Sequence, residues 1–217
     1  MKLKNGCLGA MSLIMIFFSS CIGISTNITI RQNGTGTLDL EYRISRIAES
    51  LGKLDGNERW LTLPAGKADF ERTISRIDGL KLASFSSQED EKDRVVKVKV
   101  DFSNPDALIG FLDAAGQRAR LTREEKKYRL SLTLGGGIRN QNPELLELTE
   151  AVFLGYTLDL GITFPREAVL TLADEGGGEV DAPPVGSIRW NGRNIRFSSP
   201  MAALLTSKEP VLMEILW

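Results

Sequence analysis

The sequence predicts an α+β fold: an antiparallel sheet of hairpins with two or three amphipathic helices packed on one face. Three observations predict it. Strand-like segments alternate apolar and polar residues almost throughout, the pattern of a sheet with one buried and one wet face. Hairpin turn signals recur, among them Asn33-Gly34 and Asn191-Gly192. Between hairpins lie segments with apolar residues at helical spacing, several of them closed by a glycine.

In chain order, the first element is a hairpin. Thr26 to Arg31 alternates, residues 32–36 turn, and Thr37 to Ser45 alternates again with Leu38, Leu40, Tyr42 and Ile44 on one face. Arg46 to Leu54 reads as a short helix and Arg59 to Leu63 as a short strand. Lys67 to Asp78 is a better helix, with Phe70, Ile74 and Ile77 at i, i+4 and i+7 and Gly79 as its stop. A second hairpin runs from Leu80 to Phe102. Its tip is the hydrophilic stretch 87–93, and Val96, Val98, Val100 and Phe102 point inward. Asn104 or Ser103 then caps a helix that starts at Pro105, with Asp106 at the positive end of the helix dipole.

A third hairpin places Ala119 and Leu121 on one strand and Tyr128, Leu130, Leu132 and Leu134 on the other. It carries a basic cluster of Arg118, Arg120, Arg123, Lys126, Lys127 and Arg129, diluted by Glu124 and Glu125. Attraction to anionic lipid head groups is one reading. The solvated face of an edge hairpin is the other, and the sequence favours it. Gly135-Gly136-Gly137 is a flexible link, with a sub-boundary expected near 135–142. It is not a phosphate loop, because no Gly-Lys-Ser/Thr follows. Pro143 to Leu154 is the next helix. Tyr156 to Phe164 and Glu167 to Ala173 are strands, and residues 174–186 form a Gly-, Pro- and acid-rich loop. An Asn-Gly hairpin, a short apolar turn at Met201–Leu205 and a final strand from Pro210 to Trp217 complete the chain.

The first 21 residues follow another logic. Lys2 and Lys4 precede an uncharged apolar run from Cys7 to Phe18, then Ser19-Ser20-Cys21. This is the layout of a bacterial secretory signal ending in a lipid-attachment cysteine. The expectation is that residues 1–20 are cleaved and that Cys21 becomes the acylated first residue of a single envelope domain, 21–217. The apolar run is about a dozen residues, short of the ~20 needed to span a bilayer. A plain signal peptide, or an uncleaved anchor with an incidental cysteine, are the alternatives. Phe18 stands where a strict lipobox prefers leucine.

Composition narrows the chemistry. Of 27 basic residues, Lys2 and Lys4 leave with the signal, so the mature chain holds 25 against 28 acidic residues and carries no footprint for nucleic acid. There is no histidine, which removes the commonest general base and metal ligand. Cys21 is the one cysteine outside the signal, so no zinc site, internal disulfide or cofactor is expected. Asp39, Glu41 and Asp159 are the carboxylates a hydrolase would draw on, but each sits at an outward strand position where solvation explains it. No enzyme is expected.

The order of parts resembles the LppM-type envelope lipoprotein domain. The likeness rests on the lipobox, Asn33-Gly34-Thr35-Gly36, Ile162-Thr163-Phe164-Pro165, a glycine-rich loop, and Ser187-Ile188-Arg189-Trp190-Asn191-Gly192. That resemblance implies an envelope-anchored, non-enzymatic α+β domain with an apolar groove for a lipid. Two roles follow as expectations. One is a membrane-anchored binding or scaffolding lipoprotein at the bacterial envelope, on the periplasmic or surface side, with envelope lipid as ligand. The other is a structural or assembly component that binds an envelope protein.

Overall fold

Asn33 and Gly34 turn the chain where the sequence places the turn. In the structure, a computed structural model, Asn33 Oδ1 accepts the Thr35 N–H at 3.1 Å and the Thr35 hydroxyl at 2.8 Å. Gly34 takes φ +83°, which a side chain would resist. The described residues are 21–45, 66–89, 91, 93–113, 118–124, 127–136 and 143–217. The signal segment, the helix expected at 46–54 and the strand expected at 59–63 lie outside them.

The strands are β1 (Cys21–Ile30), β2 (Gly36–Ser45), β3 (Leu80–Glu89), β4 (Asp93–Phe102), β5 (Ala119–Glu124), β6 (Lys127–Leu134), β7 (Tyr156–Thr163), β8 (Val169–Ala173), β9 (Glu179–Val180), β10 (Ser187–Asn191), β11 (Asn194–Pro200) and β12 (Val211–Leu216). The helices are α1 (Lys67–Ile74), α2 (Pro105–Leu112), α3 (Pro143–Val152) and α4 (Met201–Thr206). β1 starts at Cys21 itself, five residues before the alternation becomes clear at Thr26.

The α+β expectation is overturned. Among the described residues 53% lie in strands and 19% in helices, so the fold is mostly β. These residues form two sheets rather than one, a seven-stranded sheet ordered β10-β11-β7-β1-β2-β4-β3 and a five-stranded sheet ordered β5-β6-β12-β8-β9. Among the described residues the helices are four short pieces of six to ten residues, not two or three covering one sheet face. The physical reason lies in pairing. The C-terminal strand β12 inserts between β6 and β8, joining the β5–β6 and β8–β9 pairs into a second sheet. An all-antiparallel arrangement also fails at one place, because β1 runs parallel to β7 with Asn27 beside Gly161.

Within each strand the expected faces hold. Val96, Val98, Val100 and Phe102 are buried on β4, and Val211, Met213, Ile215 and Trp217 are buried at the C-terminus. Phe70 of α1 stands over Tyr42 and Phe85, with ring centroids 6.4 and 5.8 Å apart. Burial pushes the Tyr42 phenol pKa well above its ordinary value. One continuous apolar core runs through both sheets. Its junction is aromatic: Trp217, beyond β12, lies 4.9 Å from the Phe164 ring and 5.5 Å from Tyr128.

Candidate functional site

The face of the seven-stranded sheet opposite that core is polar from β10 to β4, because period-2 alternation puts every second residue of a strand on the same side. One row reads Arg189, Arg196, Gly161, Asn27, Asp39, Lys99 from β10 to β4. The next reads Ser187, Ser198, Asp159, Ser25, Glu41, Lys97. The β2–β4 end of these rows is neutralised: Lys99 Nζ lies 3.2 Å from Asp39 and Lys97 Nζ 3.0 Å from Glu41. Asp39 and Glu41, two of the three carboxylates considered for hydrolysis, are therefore cross-strand ion-pair members. Asp159 accepts the Thr157 hydroxyl at 3.0 Å.

The β10–β1 end is different. It forms an open groove of about 410 Å³ lined by Ser25, Asn27, Asp159, Gly161, Ser187, Arg189, Arg196 and Ser198. Arg189 and Arg196 are direct cross-strand partners. Both are exposed, and among the described residues neither has an ion-pair or hydrogen-bond partner. A second groove of about 320 Å³ lies where the β1–β2 turn meets the five-stranded sheet, between Arg31, Pro105, Tyr128, Arg166 and Trp217. Neither of these two grooves is lined by apolar residues alone.

Cys21 begins β1 and pairs through its backbone with Tyr156, the first residue of β7. Just before Tyr156 the α3–β7 turn carries Leu154, 80% exposed, and Leu148 of α3 is exposed as well. The same end holds the Tyr156 hydroxyl, which donates to Asp93 Oδ1 at 2.7 Å.

The basic hairpin does not form one patch. Its strands extend further than expected, to Glu124 and from Lys127, so only residues 125 and 126 separate them. Lys126 lies outside the described residues. Arg123 falls on the core-side face, its guanidinium carbon 5.6 Å from the Tyr128 ring centroid. Arg118, Arg120 and Lys127 are exposed, and Arg120 and Lys127 share the opposite face with Arg129. Arg129 is bound on both sides, Nε to Glu124 at 2.8 Å and Nη1 to Glu214 at 2.9 Å. The hydrogen bond from Arg129 holds the Glu124 carboxyl below its ordinary range, and the bonds to Glu124 and Glu214 raise the Arg129 pKa. Glu214 arrives from β12, 85 residues away, which local charge counting could not supply.

Among the described residues no group of three metal-ligating side chains lies together, and no helix is long and apolar enough to cross a membrane. Comparison with family models, curated proteins and solved structures returns no match for the chain.

The groove arginines and Gly161 were not among the residues singled out from the sequence. The one local signal was the Asn191-Gly192 turn, which sets Arg189 opposite Arg196 once its register is worked out. Gly161 becomes notable only when β1 is known to lie beside β7.

Proposed function

We propose that this chain is a lipid-anchored lipoprotein of the bacterial envelope, on the periplasmic or surface side, whose β domain binds a partner rather than catalysing a reaction. One observation carries the reading. Cys21 is itself part of β1, so no linker separates it from the sheet, and the exposed Leu154 sits on the turn that leads into the strand paired with β1. An acylated Cys21 would place that end of the seven-stranded sheet at the bilayer, where an exposed leucine finds apolar surroundings. The opposite end of β1, at Ile30 and the Asn33-Gly34 turn, then stands roughly 30 Å away at ~3.3 Å per residue.

The absence of histidine from the chain and the neutralisation of Asp39 and Glu41 by lysines favour binding over catalysis. The orientation is testable with an environment-sensitive dye on Leu154→Cys or Asn33→Cys in the anchored protein. A blue-shifted dye at 154 and a water-like dye at 33 are expected. Water-like emission at both positions, in protein recovered with membranes, contradicts this placement.

A further inference from the structure

The geometry points to an anion site on the polar face of the seven-stranded sheet, built by Arg189 and Arg196 over Gly161, that takes a phosphate group of a small phosphomonoester. It deepens the binding role proposed above and rests on that reading, but not on the anchor. Binding by the detergent-solubilised chain succeeds or fails whether or not Cys21 is acylated.

Two like charges directly opposite each other in an antiparallel pair repel, and their Cβ atoms stand only about 5 Å apart. On the same face Lys97 and Lys99 each meet a carboxylate on the neighbouring strand. Arg189 and Arg196 meet none among the described residues, and an anion between them removes the repulsion. Two guanidinium forks lining one groove from paired positions suit a tetrahedral oxyanion, which offers several acceptor oxygens.

Beneath them Gly161, the Cα partner of both Arg196 and Asn27, has no side chain, and the Asn27 carboxamide lies over it. A Cβ there would lie 2.7 Å from Asn27 Oδ1. The side chains of Ser25, Asn27 and Ser198 line the same groove with no hydrogen-bond partner among the described residues. They supply donors to a phosphate oxygen and to the hydroxyl groups of the ester. Asp159 is the one acidic side chain lining the groove, and it accepts such a hydroxyl while discouraging a second anionic group. Ser25 and Asn27 lie about 13 to 20 Å along β1 from Cys21, a distance favouring a soluble ester over a head group of the anchoring leaflet.

The test is calorimetric titration of the full chain in nonionic detergent with glycerol 3-phosphate and inorganic phosphate, and separately with micelles doped with phosphatidylglycerol. Saturable binding of the soluble phosphates is expected. It should weaken at least tenfold in Arg189→Gln and in Arg196→Gln and stay unchanged in Arg120→Gln on the other sheet. Arg196→Lys, which keeps the charge and loses the fork, should also weaken it. Circular dichroism confirms that each variant is folded. Binding confined to phosphatidylglycerol micelles, yet lost in Arg196→Gln, keeps the phosphate site and overturns the soluble source. No binding in either arm, or an equal loss in Arg120→Gln, overturns the site.

Discussion

Replacing Asn104 by alanine removes the acceptor that its side chain offers to the Ala107 N–H at 2.8 Å, at the start of α2. That cap is worth about 1 kcal/mol, and a chain of this size should lose roughly 2–4 °C in Tm. Asn104→Asp, which keeps the acceptor, should melt close to the parent; an unchanged Tm in Asn104→Ala would show that the cap contributes nothing. Asn104-Pro105 and Asn33-Gly34 were legible in the sequence because each acts within three residues of itself. Arg129 was not legible. It counts as one cation of six in a basic hairpin, yet its second carboxylate is Glu214 on a distant strand. The Arg189–Arg196 pair was hidden in the same way. An arginine at an outward strand position is ordinary until its neighbours across the sheet are known, and only the folded register sets Arg196 opposite another arginine and a glycine.

At the scale of elements, period-2 alternation marked most of the longer strands and their inward faces, since it depends only on which side chains share a face. It cannot report which strands are neighbours or which way they run, because an alternating segment presents the same face in either direction. Hence the parallel β1–β7 pair and the insertion of β12 between β6 and β8 were unforeseen. The two-residue strand β9, inside the loop read at 174–186, is too short for any periodic signal. Close packing between elements is equally invisible in a single strand. Gly36 sits where β2 meets β1 and β4, and a Cβ there would run into the Thr29 carbonyl and the Phe102 ring. Gly36→Ala should therefore destabilise by about 1–3 kcal/mol through overpacking, measured by urea denaturation. Gly177→Ala, at a turn with open space around it, is the comparison that carries only the strain of its positive φ. Equal midpoints for the two variants would refute the packing argument at Gly36.

For the whole molecule, the sequence conveyed abundant sheet with buried and wet faces, but not the division into seven- and five-stranded sheets. That division sets the orientation on which the proposed function depends. β1 lies at the centre of the larger sheet, so a lipid on its first residue would fix how the polar groove and the aromatic junction at Trp217 stand above the bilayer. Acylation of Cys21 is thus the central claim, and the mass of the N-terminal peptide of the membrane-extracted protein tests it most directly. The account predicts a peptide that begins at Cys21 and carries the added mass of a diacylglyceryl group, with no peptide from residues 1–20 and no acyl mass in Cys21→Ala. A peptide that retains residues 1–20, or one that begins elsewhere with an unmodified Cys21 thiol, would contradict it.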